Sequence, residues 1–243
     1  MTRPATLPCL LACLVLATAI APRSRAQEPV RRIELGEGVA VEACPRARSA
    51  FEPPQCWQPV GFAFGSYVVL GRARTFARAP LGSATRGRLF AVIPDNVSQL
   101  GTGHMAPVVF TDDLGARWQE SRWDPATGSP TLGAYSPLAL SIDPEGLRVV
   151  AAGEYARLWV SRDGGQSFVQ RRSGGQTYVS VEVLGRATVL TDADGRVWST
   201  PDDGESLRAI TSERGATVTR EERAIVVRHG SRTIRIDPSG TVH

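Results

Sequence analysis

The chain is most constrained by a short pattern that it carries three times: Thr111-Asp112-Asp113-Leu114-Gly115-Ala116-Arg117-Trp118, Ser161-Arg162-Asp163-Gly164-Gly165-Gln166-Ser167-Phe168 and Thr200-Pro201-Asp202-Asp203-Gly204-Glu205-Ser206-Leu207. Each copy stands between two apolar runs of strand length, so each reads as the turn of a β-hairpin. A turn of this kind needs a residue at positive φ, where a Cβ costs about 1–2 kcal/mol, and Gly115, Gly165 and Gly204 meet that need. Two residues earlier, Asp113, Asp163 and Asp202 are placed to accept backbone N–H groups, with the hydroxyls of Thr111, Ser161 and Thr200 adding local bonds. Trp118, Phe168 and Leu207 then open the returning strand with area to bury.

These motifs resemble Asp-boxes, or BNR repeats, of sialidase-like, sortilin-like and photosystem II assembly factor-like β-propellers. The copies start at 111, 161 and 200, a spacing suited to one four-stranded blade per repeat. The resemblance covers roughly residues 100 to 243 and implies that the boxes are structural turns on the rim, away from the ligand face. The fold expected is therefore all-β, a small β-propeller with Asp-box hairpin turns.

Alternation between turn signals gives the blades in more detail. One uses Ser136 to Asp143, Leu147 to Glu154, Ala156 to Asp163 and Ser167 to Arg172; the next uses Tyr178 to Leu184, Ala187 to Thr191, Arg196 to Thr200 and Leu207 to Thr211. A third uses Ala216 to Arg220, Ala224 to Arg228 and Arg232 to Asp237, with Asp237-Pro238-Ser239-Gly240 as a degraded box. An earlier blade uses Gly61 to Gly71, Arg88 to Pro94, Pro107 to Thr111 and Arg117 to Trp123, with 71–88 as a basic insertion. The strand-like Arg32 to Val41 is left over and is expected to complete the last blade, since closure removes exposed edges. That makes four blades, or five if residues 42–75 hold another unit. An incomplete stack that associates with further copies is the structural alternative, so the chain is expected to be a monomer or a small homo-oligomer.

Residues 1–26 read as a signal peptide: Arg3, an apolar run from Leu7 to Ala21, then Ser24-Arg25-Ala26. A lipoprotein reading is weaker because Cys13 lies inside the apolar run. The run is short for a membrane span, and no later stretch approaches one. The product is expected to be a bacterial exported protein, periplasmic or extracellular, with one propeller domain over 27–243. Without Arg3, Arg23 and Arg25 the 28 basic residues become 25 against 24 acidic ones, so no general nucleic-acid affinity follows. All the basic residues are arginine, which we read as the imprint of a GC-rich genome. Cys44 and Cys56 are the pair that remains, and in an oxidising compartment they are expected to form a disulfide. The metal-ligand alternative has no nearby His or further Cys.

A retaining sialidase of the resembled family would gather an arginine triad, a Tyr–Glu pair and a separate acid, but its Arg-Ile-Pro motif is absent here. Glu154 and Tyr155 are adjacent, and neighbours on a strand point to opposite faces. No catalytic residue is assigned. Arg72, Arg74, Arg78, Arg86 and Arg88 form a stretch able to grip carboxylates or phosphates, which makes them candidate ligand-binding residues. Asp192-Ala193-Asp194-Gly195 begins like a calcium loop but lacks the later ligands and reads as a hairpin turn. His104, His229 and His243 are far apart, so no metal or other cofactor is expected. The function these features favour is a non-catalytic recognition or assembly scaffold for a protein or an anionic glycan. A sialidase-like glycoside hydrolase is the alternative.

Overall fold

The computed structural model describes residues 32–36, 39–43, 57–60, 75–92, 108–113, 118–123, 137–172 and 175–243. They form nineteen strands in five sheets. The first sheet is the meander β1 (Arg32–Gly36), β2 (Val39–Ala43) and β3 (Trp57–Val60). The second holds β4 (Thr75–Arg78), β5 (Leu89–Val92), β6 (Val108–Thr111) and β7 (Gln119–Glu120) in sequence order. The third holds β9 (Pro137–Ile142), β10 (Val149–Gly153), β11 (Arg157–Ser161) and β12 (Ser167–Arg172), and β8 (Arg122–Trp123) joins its outer side parallel to β12. The fourth is β13 (Tyr178–Leu184), β14 (Ala187–Asp192), β15 (Val197–Thr200) and β16 (Arg208–Thr211). The fifth is β17 (Thr217–Arg220), β18 (Ile225–His229) and β19 (Arg232–Ile236), extended by an antiparallel bridge from Ile236 to Val242.

The first strands of successive sheets pack side by side, β1 on β4, β4 on β9, β9 on β13 and β13 on β17. Each sheet runs outward from that inner row as an antiparallel meander, which is the blade arrangement of a β-propeller. No strand pairing among the described residues joins β17–β19 to β1–β3, so the array is not closed by a shared sheet.

Burial on both faces explains why strands such as Val149–Gly153 are apolar without interruption. Val149 and Ala151 enter the core shared with the second sheet, together with Phe90, Phe110, Trp159 and Phe168. Val150 and Ala152 point the other way, into a core with Leu158, Tyr178, Val183 and Leu190. A third core joins the fourth and fifth sheets through Leu184, Val189, Val197, Ile225 and Ile236. Truncating Phe168 or Trp159, both fully buried, costs about 3–5 kcal/mol for side chains of this size.

Three expectations are corrected by this topology. Arg32 to Val41 is not one strand that completes the last blade; it divides into β1 and β2, which pair with each other, and β2 pairs on its other side with β3. Gly36 and Gly38 punctuate the run, and Gly in a strand pattern marks a turn or bulge. The stretch 71–88 is not only an insertion, because Thr75–Arg78 is the inner strand of the second sheet, with Phe76 opposite Ala91 and Ala77 opposite Phe90. Its turn is closed by Ser83 and Gly87 N–H groups donating to the Pro80 carbonyl, at 3.0 and 3.2 Å. Residues 61–71, to which the first strand of that blade was assigned, lie outside the described residues. Finally, the strand expected over Arg117 to Trp123 splits at Ser121, giving β7 to its own sheet and β8 to the next.

Candidate functional site

The repeated segments that begin at Thr111, Ser161 and Thr200 stand at the same place in three sheets, at the end of the third strands β6, β11 and β15. In the third sheet, Ser161 Oγ donates to Asp163 Oδ1 at 2.7 Å and accepts the Gly165 N–H at 2.8 Å. Asp163 in turn accepts the Ser167 N–H at 2.9 Å and the Ser167 hydroxyl. The fourth sheet repeats the arrangement with Thr200, Asp202, Gly204 and Ser206. In the second sheet Thr111 Oγ1 donates to Asp113 Oδ1 at 2.7 Å; Gly115 lies outside the described residues, and Trp118 is half-buried. In the fifth, Asp237 accepts N–H groups of Ser239 and Thr241 at 2.9 and 3.0 Å.

Burial alone would raise the carboxyl of Asp163, but the Ser167 and Ser161 bonds outweigh it and hold the group below the usual range. The same balance lowers Asp202 through Ser206 and Thr200. Asp237 is lowered to about 2, chiefly by the Ser239 hydroxyl. These carboxylates close turns, and they are ionised while doing so.

Each complete turn uses two consecutive positive-φ residues where the sequence argument asked for one: Gly164 and Gly165 at +70° and +84°, Asp203 and Gly204 at +59° and +95°. Asp is among the few side chains that tolerate this region. A Cβ on Gly165 would sit 2.2 Å from Phe90 Cε1, so the third sheet's turn seats its backbone directly on a core ring of the second.

Two arginines cross between sheets at these turns. Arg88, just before β5, makes a two-pronged bond to Asp112 at 2.6 and 2.8 Å and donates to the Gly164 carbonyl of the third sheet at 2.6 Å. Its guanidinium carbon lies 4.3 Å from the centre of the Phe110 ring. Arg148, just before β10, reaches the fourth sheet at the equivalent place. It donates to Asp203 Oδ1 at 2.6 and 3.1 Å, to the Gly185 and Ala187 carbonyls and to Thr188 Oγ1. Exposed Arg162 binds the other oxygen, Asp203 Oδ2. Burial pushes Asp203 up, and the two guanidiniums outweigh it, so its carboxyl sits low; bonding to Asp203 raises Arg162 in turn.

Two open clefts flank the Arg162–Asp203 bridge. One, of about 460 Å³, is walled by Val160, Ser167, Val169 and Arg171. The other, of about 470 Å³, lies between the third and fourth sheets against Glu145, Leu147, Arg186 and Glu205. Their accessible charges are of both signs: Arg162, Arg171, Arg186, Glu145 and Glu205 are all exposed.

Of the arginine stretch singled out in the sequence, the structure describes Arg78, Arg86 and Arg88, each in different surroundings. Arg72 and Arg74 lie outside the described residues, as do Cys44, Cys56 and the leader 1–26. Arg78 is half-buried and donates to the Gly87 carbonyl at 3.5 Å, Arg86 is exposed at φ +46°, and Arg88 is turned inward. Glu154 and Tyr155 are not on a strand, as the sequence argument assumed, but in a one-turn 3-10 helix, with Tyr155 at φ +54° and 60% exposed. Asp192 to Gly195 is a hairpin turn whose Asp192 accepts the Asp194 and Arg196 N–H groups and the Trp198 indole N–H. Among the described residues no group of three His, Cys, Asp or Glu side chains is placed to hold a metal.

The sequence reading missed Arg148, Arg162 and Asp203. The available signal was positional: Asp203 replaces Gly164 at the fourth place of the box, and Arg148 precedes Val149-Val150 as Arg88 precedes Leu89-Phe90. It also missed Glu182 on the inner strand β13, where Ser141 Oγ donates to its carboxylate at 3.3 Å from β9. Arg220 approaches from β17 and donates to the Ile142 and Val183 carbonyls. Burial pushes the Glu182 carboxyl up, against the opposing pull of Arg220 and Ser141.

No protein-family model and no curated protein matches the sequence. Among solved structures the chain is similar to "YCF48 bound to D1 peptide", at 19% identity over 63% of this chain and 49% of that one, with a TM-score of 0.42. It is similar to YCF48 from Cyanidioschyzon merolae at 14% identity over 69% and 58%, with a TM-score of 0.45. A GH74 xyloglucanase from Xanthomonas campestris matches at 19% identity over 68% and 24%, with a TM-score of 0.41. The chain thus spans about half the length of the first two structures.

Proposed function

We propose that this chain is an exported, non-catalytic propeller of the Asp-box type that serves as a recognition or assembly scaffold for a protein partner. In this reading residues 1–26 are a cleaved leader, 27–243 is one domain, and Cys44 and Cys56 are joined. The observation that carries the proposal is the pair of open clefts beside Arg162 and Asp203, walled by charges of both signs on a rim fixed by hydrogen-bonded turns. An open, mixed-charge surface of this kind suits a polypeptide, which offers both signs and backbone groups, better than an enclosed small molecule. Rigid strands hold the loops in place, so binding need not order the rim first.

The test is a peptide array and a glycan array probed with the secreted mature protein, followed by a fluorogenic glycosidase panel on the same sample. Saturable peptide binding, weakened by Arg171→Glu or Arg186→Glu and unaccompanied by turnover, is the expected result. Glycan binding alone would move the assignment to a lectin-like scaffold, and turnover of a glycoside would overturn the non-catalytic reading.

A further inference from the structure

The outer side of the third sheet is covered from within the chain. Ser121, only 2% exposed, donates its hydroxyl to the Gly165 carbonyl at 2.7 Å, and the next N–H, of Arg122, donates to the Gln166 carbonyl at 2.8 Å. From there β8 runs parallel to β12, Arg122 opposite Ser167 and Trp123 opposite Phe168. A segment of the form Ser-x-x thus docks on the turn and the first residues of the outer strand.

The fourth sheet has the same seat. Aligning Thr200 with Ser161 sets Gly204, Glu205, Ser206 and Leu207 where Gly165, Gln166, Ser167 and Phe168 stand, and the two turns share their internal bonds. No described strand lies on the outer side of β16, where Arg208 and Ala209 are exposed. The difference is one of connection length. Residues 121–136 link β7 to β9, leaving enough chain to visit the neighbouring sheet on the way, whereas only residues 173–177 link β12 to β13.

We infer that the outer edge of β16 receives an extended segment of a partner protein with the pattern Ser/Thr-x-x-Asp/Glu, added as a parallel strand. The Ser or Thr hydroxyl takes the place of Ser121 on the Gly204 carbonyl, and the following N–H takes that of Arg122 on the Glu205 carbonyl. In a parallel pair that same residue accepts from the other side, here from the Leu207 N–H. One step further along the register stands Arg208, so an acid three residues after the Ser or Thr meets a guanidinium. A peptide copying Ser121-Arg122-Trp123-Asp124 supplies an acid at that place and so serves as a probe. Strand addition of this kind draws its affinity from main-chain bonds and its selectivity from a few side chains. The inference rests on the scaffold reading above and names how one partner is held.

The experiment titrates the full mature chain with a labelled peptide copying Gln119 to Pro125, followed by anisotropy and amide hydrogen exchange. Saturable binding with new protection at Leu207 and Ala209 is expected. Methylating the peptide's Arg122 nitrogen should weaken binding at least tenfold without altering the protein. Arg208→Glu should weaken it severalfold, and a peptide with Asp124→Arg should restore it. Protection at β12 in place of β16, equal binding of the methylated peptide, or no binding at millimolar peptide would overturn the inference. Concentration-dependent dimerisation that the peptide reverses would also overturn it, by assigning the edge to a second copy. Because Arg171→Glu and Arg186→Glu lie in the clefts, array binding lost in those variants but kept in Arg208→Glu separates failure of this edge from failure of the scaffold.

Discussion

Arg148 at the head of β10 is held by Asp203 of the following sheet through two guanidinium nitrogens, 2.6 and 3.1 Å from one carboxylate oxygen. Both side chains are nearly withdrawn from water, at 11% and 12% exposure, while the second arginine on the same acid, Arg162, is 78% exposed. That contrast decides what each bond is worth.

Asp203→Asn leaves the Arg148 cation buried without a counter-charge, a change that costs about 3–5 kcal/mol where a buried pair is broken on one side. Arg162→Ala removes only a solvent-facing partner and should cost under about 1 kcal/mol. Denaturant melts of the two variants check this, and equal losses would mean that Arg148 is not desolvated in the folded state. Because the Asp203 carboxyl is lowered in the folded protein, its contribution is present above the ordinary carboxylate range. It fades as the pH falls through the folded value, so the gap between wild type and Asp203→Asn should close in acid.

Gly165→Ala should destabilise more than the loss of backbone freedom explains. The position has φ +84°, and the new methyl would meet Phe90 Cε1 at 2.2 Å. A strained φ costs about 1–2 kcal/mol, and displacing a fully buried ring adds an overpacking cost of about 1–3 kcal/mol. Gly215→Ala, at φ +87° with open space around it, is the control and should show the backbone cost alone. Matching melting temperatures for the two would count against the Phe90 contact.

The Glu182 carboxyl is raised in the folded state, so its ionisation opposes folding: the favourable contribution is full below the unfolded value and is lost as the pH rises through the folded one. Glu182→Gln keeps the shape and the Ser141 bond but removes the charge. It should therefore melt higher than wild type at pH 7, with the advantage vanishing below the ordinary glutamate range. A lower melting temperature at pH 7 would mean that Arg220 stabilises the charged form more than burial opposes it.

Asp163→Ala removes the acceptor of the Ser167 N–H and hydroxyl bonds, at a cost of about 1–3 kcal/mol for turn groups left unpaired. Thermal unfolding checks this, and an unchanged curve would remove the turn from the stabilising features. On the proposed pairing of Cys44 and Cys56, labelling of the secreted, unreduced protein in denaturant should find no free thiol; two would overturn it.

How much of this was legible depended on whether the signal was local. The strands from Pro137 to Arg172 and from Tyr178 to Thr211 follow from short apolar runs bounded by glycine-bearing turns, both properties of adjacent residues. Thr75–Arg78 was hidden because three of the eight residues in 71–78 are arginines, one of them inside the strand, and composition outweighed the single Phe76. The rim arginines were hidden for a different reason. Whether Arg88 faces solvent or Asp112 and Gly164 is set by residues up to 76 positions away, a relationship that no window of sequence contains. Glu182 needed three inner strands to be placed side by side before its burial could be seen.

The rim arginines also give the sheets a fixed order. Arg88 brings its own acid, Asp112, and asks the next sheet only for the neutral Gly164 carbonyl; Arg148 arrives with Arg162 and requires Asp203. If the third sheet were copied into the place of the fourth, two guanidiniums would face a glycine. Putting the fourth after the second would set an extra carboxylate against a pair already neutralised. These blades are therefore not interchangeable modules, and a recombinant that shuffles them needs to move the acid along with the seam.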